Sequence, residues 1–115
     1  MRTVYKIGVN IPPEFLEGMM DSLESTVQPL HPGYSRAFCY WPVKGTWRTL
    51  EGSNPYNGKE GEITVADEIR LEFAVKEEDL RVAVETVKDN HPYEEPAIDV
   101  IPMADWKSII PSDDS

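Results

Sequence analysis

Residues 63–75 constrain the chain more than any other stretch. Ile63, Val65, Ile69, Leu71, Phe73 and Val75 fall on one side of a period of two, while Thr64, Glu68, Arg70, Glu72 and Lys76 fall on the other; Asp67 alone interrupts the apolar side. Alternation sustained over this length predicts a long strand with one buried and one solvated face. One-sided burial in turn argues for an antiparallel sheet with helices on one face only.

The flanking segments supply the rest of such a sheet. In 4–11, Tyr5, Ile7, Val9 and Ile11 alternate with Lys6, Gly8 and Asn10, a second half-buried strand. Pro12-Pro13 ends it and suits a helix start, because a first-turn N–H has no internal partner. Phe15, Leu16, Met19, Met20 and Leu23 then recur at helical spacing to about Ser25. After a Pro/Gly turn at 29–33, residues 34–41 read as an aromatic-rich strand and 44–61 as a glycine-bearing excursion. A second helix is predicted over 77–88, with Leu80, Ala83, Val84 and Val87 as its apolar stripe and acidic residues at its N-terminus. Asn90 and Pro92 end it, and 97–103 supplies a last strand. The order is β-α-β-β-α-β, an α+β ferredoxin-like arrangement with an antiparallel sheet and an extended excursion between its second and third strands. Residues 1–103 are read as one domain, and 104–115, acidic and aperiodic, as a C-terminal tail.

Composition narrows the function. At 115 residues the chain suits one domain, large enough for a core without staples. Eleven Lys and Arg against 21 Asp and Glu leave a net charge of -10, which repels phosphate backbones, so no nucleic-acid partner is expected. No run approaches the ~18 apolar residues of a membrane span, and the expected address is the cytoplasm. A lone cysteine, Cys39, allows neither an internal disulfide nor a cysteine-rich zinc module. With only two histidines besides, the composition favours a binding or assembly protein over a self-contained enzyme.

Three groups of residues carry the remaining possibilities. In His91-Pro92-Tyr93-Glu94-Glu95-Pro96, the prolines fix a turn after the helix, which is a sufficient structural reason for the motif. Adjacent Glu94 and Glu95 point to opposite sides of an extended chain, so they do not make a carboxylate pair. Ligand binding by His91, Tyr93, Glu94 and Glu95 is the functional alternative, and catalysis with His91 as general base is a third. The second group, 45–58, is rich in glycine, and a loop this long is usually functional or mobile. It reads either as a subunit-contacting arm or as a ligand cradle offering Thr46, Trp47, Asn54 and Tyr56. It is not a phosphate loop, since Glu60 follows Gly58-Lys59 where Ser or Thr is required. The third group, His31, Cys39, His91, Asp99 and nearby glutamates, shows no helical i, i+4 ligand spacing, and His31-Pro32-Gly33 is more simply a turn. Metal ligands and cofactors are left unassigned.

The run His91-Pro92-Tyr93-Glu94-Glu95-Pro96-Ala97-Ile98-Asp99 resembles the HPYEEPAYD signature of the YqfO-type domain of the Nif3-like family, proteins also labelled type 2 GTP cyclohydrolase homologues. Gly45-Thr46-Trp47, Gly52-Ser53-Asn54-Pro55-Tyr56-Asn57-Gly58 and Glu68-Ile69-Arg70-Leu71-Glu72 match further motifs of that domain in order, so the resemblance covers 3–103. Trp47 stands for the usual Phe, Thr49 for Pro and Ile98 for Tyr, and 33–38 keep only part of the usual G-x-Y-S-H-C-S-F, without its His. The resemblance implies a CutA- or PII-like fold that assembles as a homotrimer. It also implies that the metal pair of Nif3-like proteins belongs to flanking lobes, so a hydrolase or cyclohydrolase activity is not expected of this stretch. The expectation is a non-catalytic oligomeric module that binds a small ligand, a metal ion or a protein, through residues among His91, Tyr93, Glu94, Glu95, Thr46, Trp47, Asn54, Tyr56 and Arg70. The alternatives are docking on a separate Nif3-like core, or a weak hydrolase using His91.

Overall fold

The computed structural model describes residues 1–110. β1 (Thr3–Ile11), α1 (Leu16–Thr26), β2 (Cys39–Arg48), β3 (Ile63–Lys76), α2 (Leu80–Asp89) and β4 (Ile98–Ala104) follow in turn, with short 3₁₀ turns before both helices and after β4. The strands form one antiparallel sheet in the order β2-β3-β1-β4. This is the ferredoxin-like arrangement that the periodicity predicts. Pro42 and Pro102 lie within strands, and both strands are sheet edges, where a missing N–H costs no ladder bond.

Both helices cover one face. Met19, Met20 and Leu23 of α1 and Ala83 and Val87 of α2 bury against Ile7, Val9, Ile11, Leu71, Phe73 and Val75. Both helices begin from a 3₁₀ turn, the first of which carries Pro at its start. Among the described residues, no helix is long and apolar enough to cross a membrane.

Three expectations are corrected. The second strand is Cys39–Arg48, not 34–41. Of the expected strand residues, Tyr34 is exposed before it, and the strand instead continues through Val43, Gly45 and Trp47 because the long β3 offers them a partner. The excursion therefore shrinks from 44–61 to the connection 49–62. The third correction concerns the faces of β3. Pairing of β1 with β3 ends at Ile11 opposite Ile69, so 63–68 of β3 pair with β2 alone. This two-stranded arm runs past the helix layer, and the described residues extend over 59 × 24 × 24 Å. On the arm the burial changes sides: Ile63 and Val65 are 63% and 66% exposed, whereas Glu68, expected on the solvated side, is 3% exposed.

The residues after β4 return to the N-terminus. The Asp105 N–H donates to the Arg2 carbonyl at 2.8 Å, and the Arg2 N–H donates to Ser108 Oγ at 2.8 Å. Asp105 is buried against the Arg2 guanidinium, whose hydrogen bond holds the carboxyl below its ordinary range. The end of the expected acidic tail, 111–115, lies outside the described residues.

Candidate functional site

Where the arm leaves the helix layer, the 49–62 connection and the turn after α2 cover its Glu68 side. The connection reverses through Gly52, Gly58 and Gly61, all at positive φ. Gly58 is required twice over, because a Cβ there would also sit 2.7 Å from Thr64 Oγ1 and 2.9 Å from Thr49 Oγ1. The two segments meet directly, the Asn54 N–H donating to the Glu94 carboxylate at 3.2 Å. Tyr56 donates to Glu14 at 3.1 Å and sets its ring edge-on to Phe15, which ties the connection to the start of the α1 region. Trp47 and Tyr93 have ring centroids 5.4 Å apart, and Tyr56 and Tyr93 6.0 Å apart, so three rings from three segments form a continuous wall.

Glu68 forms part of the same surface. Tyr93 Oη donates to Glu68 Oε2 at 2.5 Å, and burial, helped by this carboxylate, raises the phenol far above its ordinary pKa, so it remains a protonated donor. The carboxylate lies across β2 at Gly45, where a Cβ would meet Glu68 Oε1 at 1.9 Å. Arg70 lies across Gly8 of β1 in the same diagonal way. In each case a mid-strand glycine marks a close approach.

The cleft, open to solvent on one side, has a volume of about 600 Å³. Trp47, Tyr56, Tyr93, Glu94 and Glu95, all named from sequence, line it, together with Glu68, Asn10 and Thr49, which sequence reasoning missed. Thr46, also named from sequence, lines it too, exposed and donating to the Thr64 carbonyl at 2.9 Å. The other expected residues lie elsewhere. Asn54 holds Glu94 through its backbone. Arg70 is bound to Asp99 at 2.9 Å and to Asn10 Oδ1 at 3.3 Å on the sheet face away from the helices. No histidine or cysteine lines the cleft, and no group of three or more His, Cys, Asp or Glu side chains converges as a metal site among the described residues.

His91 sits beneath the cleft rather than in it. Its Nε2 lies 2.7 Å from the Asn10 carbonyl, and its Nδ1 accepts the Tyr93 N–H at 3.1 Å. These partners require the neutral ring with the proton on Nε2, and they occupy both nitrogens. The ring pins the 91–96 turn to the end of β1 and so positions Tyr93. Burial lowers its pKa below the ordinary 6.5, against smaller opposing effects of the Asn10 carbonyl and Glu68. A histidine with a depressed folded pKa contributes stability that is complete above the unfolded value and is lost as pH falls through the folded one. Unfolding midpoints in urea are therefore expected to fall below about pH 6.5, and the fall should be smaller in His91→Gln; equal slopes in the two proteins would refute this account of the ring.

No family model matches the chain. A Staphylococcus epidermidis protein named GTP cyclohydrolase 1 type 2 homolog is 35% identical over 99 residues, covering 86% of this chain and 27% of that protein. A Bacillus cereus protein related to NIF3 superposes with a TM-score of 0.77 at 24% identity, over 90% of this chain and 26% of the other. The chain is similar to the YqfO-type segment of Nif3-like, type 2 GTP cyclohydrolase homologues. It spans about a quarter of the length of these relatives. The periplasmic divalent cation tolerance protein CutA of Archaeoglobus fulgidus has the same fold, with a TM-score of 0.64 at 21% identity over 87% of this chain and 83% of that one. Bacillus subtilis GlnK follows with 0.61 at 17%, over 89% and 86%. Below 25% identity, these likenesses show the fold alone.

Proposed function

We propose that this domain is a non-catalytic binding module that acts as an oligomer, and that the cleft at the base of its arm receives a small organic ligand. The observation that carries this reading is the convergence of three aromatic rings and a buried carboxylate on one cleft, built from the chain's two most distinctive motifs. Ligand sites are mostly apolar concavities with a few fixed polar groups, and this cleft has that character. The occupied nitrogens of His91 support binding over general-base chemistry.

Oligomerisation is supported by the arm itself. A two-stranded ribbon is marginal alone in water, and this one presents Ile63 and Val65 outside the helix layer. A second copy packed there would cover them, and the homotrimer that the family resemblance implies is the form this reading takes. The cytoplasm is its proposed setting. The Nif3-like relatives favour one further reading, in which the domain docks on a Nif3-like core.

The test is an NMR titration of the three tryptophan indoles with a panel of small aromatic, amine and carboxylate compounds. The Trp47 indole is expected to shift saturably with at least one class while Trp106 stays still. A silent Trp47 across the panel would overturn the ligand site.

A further inference from the structure

Resting on that reading of the cleft, we propose that its ligand is an organic cation: an ammonium group carried on an apolar or aromatic body, the charge set against Glu68 and the body held among Trp47, Tyr56 and Tyr93. Three carboxylates line the cleft, Glu68, Glu94 and Glu95, and no cation among the described residues pairs with any of them. The two basic residues of the lining are engaged elsewhere. Lys44 pairs with Asp67, and Arg48 donates to the Gly61 carbonyl at 2.6 Å.

Glu68 makes the case specific. Only 3% exposed, it receives one hydrogen bond, from Tyr93 to Oε2, and Oε1 accepts from no donor among the described residues. A carboxylate withdrawn from water needs a cation or several donors, and a single phenol is poor compensation. An ammonium has several N–H donors and a full charge, so it meets the need of this carboxylate. The rings add to this, since the faces of Trp and Tyr attract cations. A bare metal ion is a poor match, because three or more ligating side chains do not converge among the described residues. Anions are opposed both by the lining carboxylates and by the chain's net charge of -10.

The test uses three probes with one body: benzylammonium, benzyl alcohol and benzoate, titrated calorimetrically into the full chain at neutral pH. Benzylammonium is expected to bind at least about tenfold more tightly than benzyl alcohol, with benzoate weakest. Glu68→Gln should bring benzylammonium down to the level at which the same variant binds benzyl alcohol. If the variant does not fold, the order of the three probes on the unaltered protein decides the matter by itself. Equal or tighter binding of the alcohol or benzoate would overturn the cationic assignment and leave the cleft as a ligand site. Failure of all three probes would also overturn it, and the Trp47 indole then separates the two readings. A response to other compounds in the panel spares the cleft, and silence to every compound removes both.

Discussion

Valine at position 45 is expected to fill the place of the Glu68 carboxylate, lower stability by about 1–3 kcal/mol and abolish the Trp47 response to ligand, with the helix-packed core still folded. A Cβ on residue 45 falls 1.9 Å from Glu68 Oε1 and 2.7 Å from Cδ, so the side chain must leave its bed on β2. The end of a glutamate moves easily in the open, but here it is buried and held by Tyr93. Its departure strands the Tyr93 hydroxyl and loosens the ring that links Trp47 to Tyr56. The core residues of α1, α2 and the central strands do not include residue 45, so cooperative unfolding should persist at a lower urea midpoint. An unchanged midpoint together with an unchanged Trp47 response would refute this geometry.

Truncation along the alternating side of β3 is expected to give opposite results at its two ends. Leu71, fully buried in the middle of the core, should lose about 2–5 kcal/mol on replacement by alanine, through lost burial and the cavity left behind. Val65 shares the same sequence periodicity but lies on the arm, where Val65→Ala should change the intrinsic stability of one subunit by less than about 0.5 kcal/mol. Its role in the proposed function lies between subunits. Val65→Asp should leave the circular dichroism spectrum of the fold in place and shift sedimentation toward the monomer. Comparable losses from Leu71→Ala and Val65→Ala in dilute protein would mean that the arm is covered within one chain.

The contrast between Leu71 and Val65 also shows what could be read from the residues alone. Periodicity located both helices, the first and third strands and the ferredoxin-like order, because burial against a helix layer imposes spacing that any sequence must obey. It did not reveal where that layer stops. Ile63 and Leu71 look alike in the pattern, and only the register of β1, which ends opposite Ile69, separates a core position from an arm position. The second strand was displaced for a related reason: aromatic content at 34–41 outweighed the weaker alternation through Pro42 and Gly45, and pairing to β3 decided in favour of the latter.

The cleft was partly legible. Trp47, Tyr56, Tyr93, Glu94 and Glu95 stood out because unusual local sequence surrounds them, and the fold brings them to one lining. Glu68 was hidden, since a glutamate on the polar side of a strand carries no local sign of burial; what covers it comes from 45–56 and 91–96, far along the chain. The available hint was Gly45, a glycine inside a strand where a side chain from the neighbouring strand passes close. Gly8 beneath Arg70 repeats that hint, which makes mid-strand glycines the better guide to the polar architecture of this sheet.

The central claim is that an assembled form of this domain holds a small molecule in its arm cleft. Native mass spectrometry of untreated protein, purified without chelators, reads assembly and bound mass in one spectrum. The account predicts a trimer carrying a defined added mass of a small organic molecule, with that mass missing from Gly45→Val. A bare monomer, well folded at micromolar concentration, would contradict it.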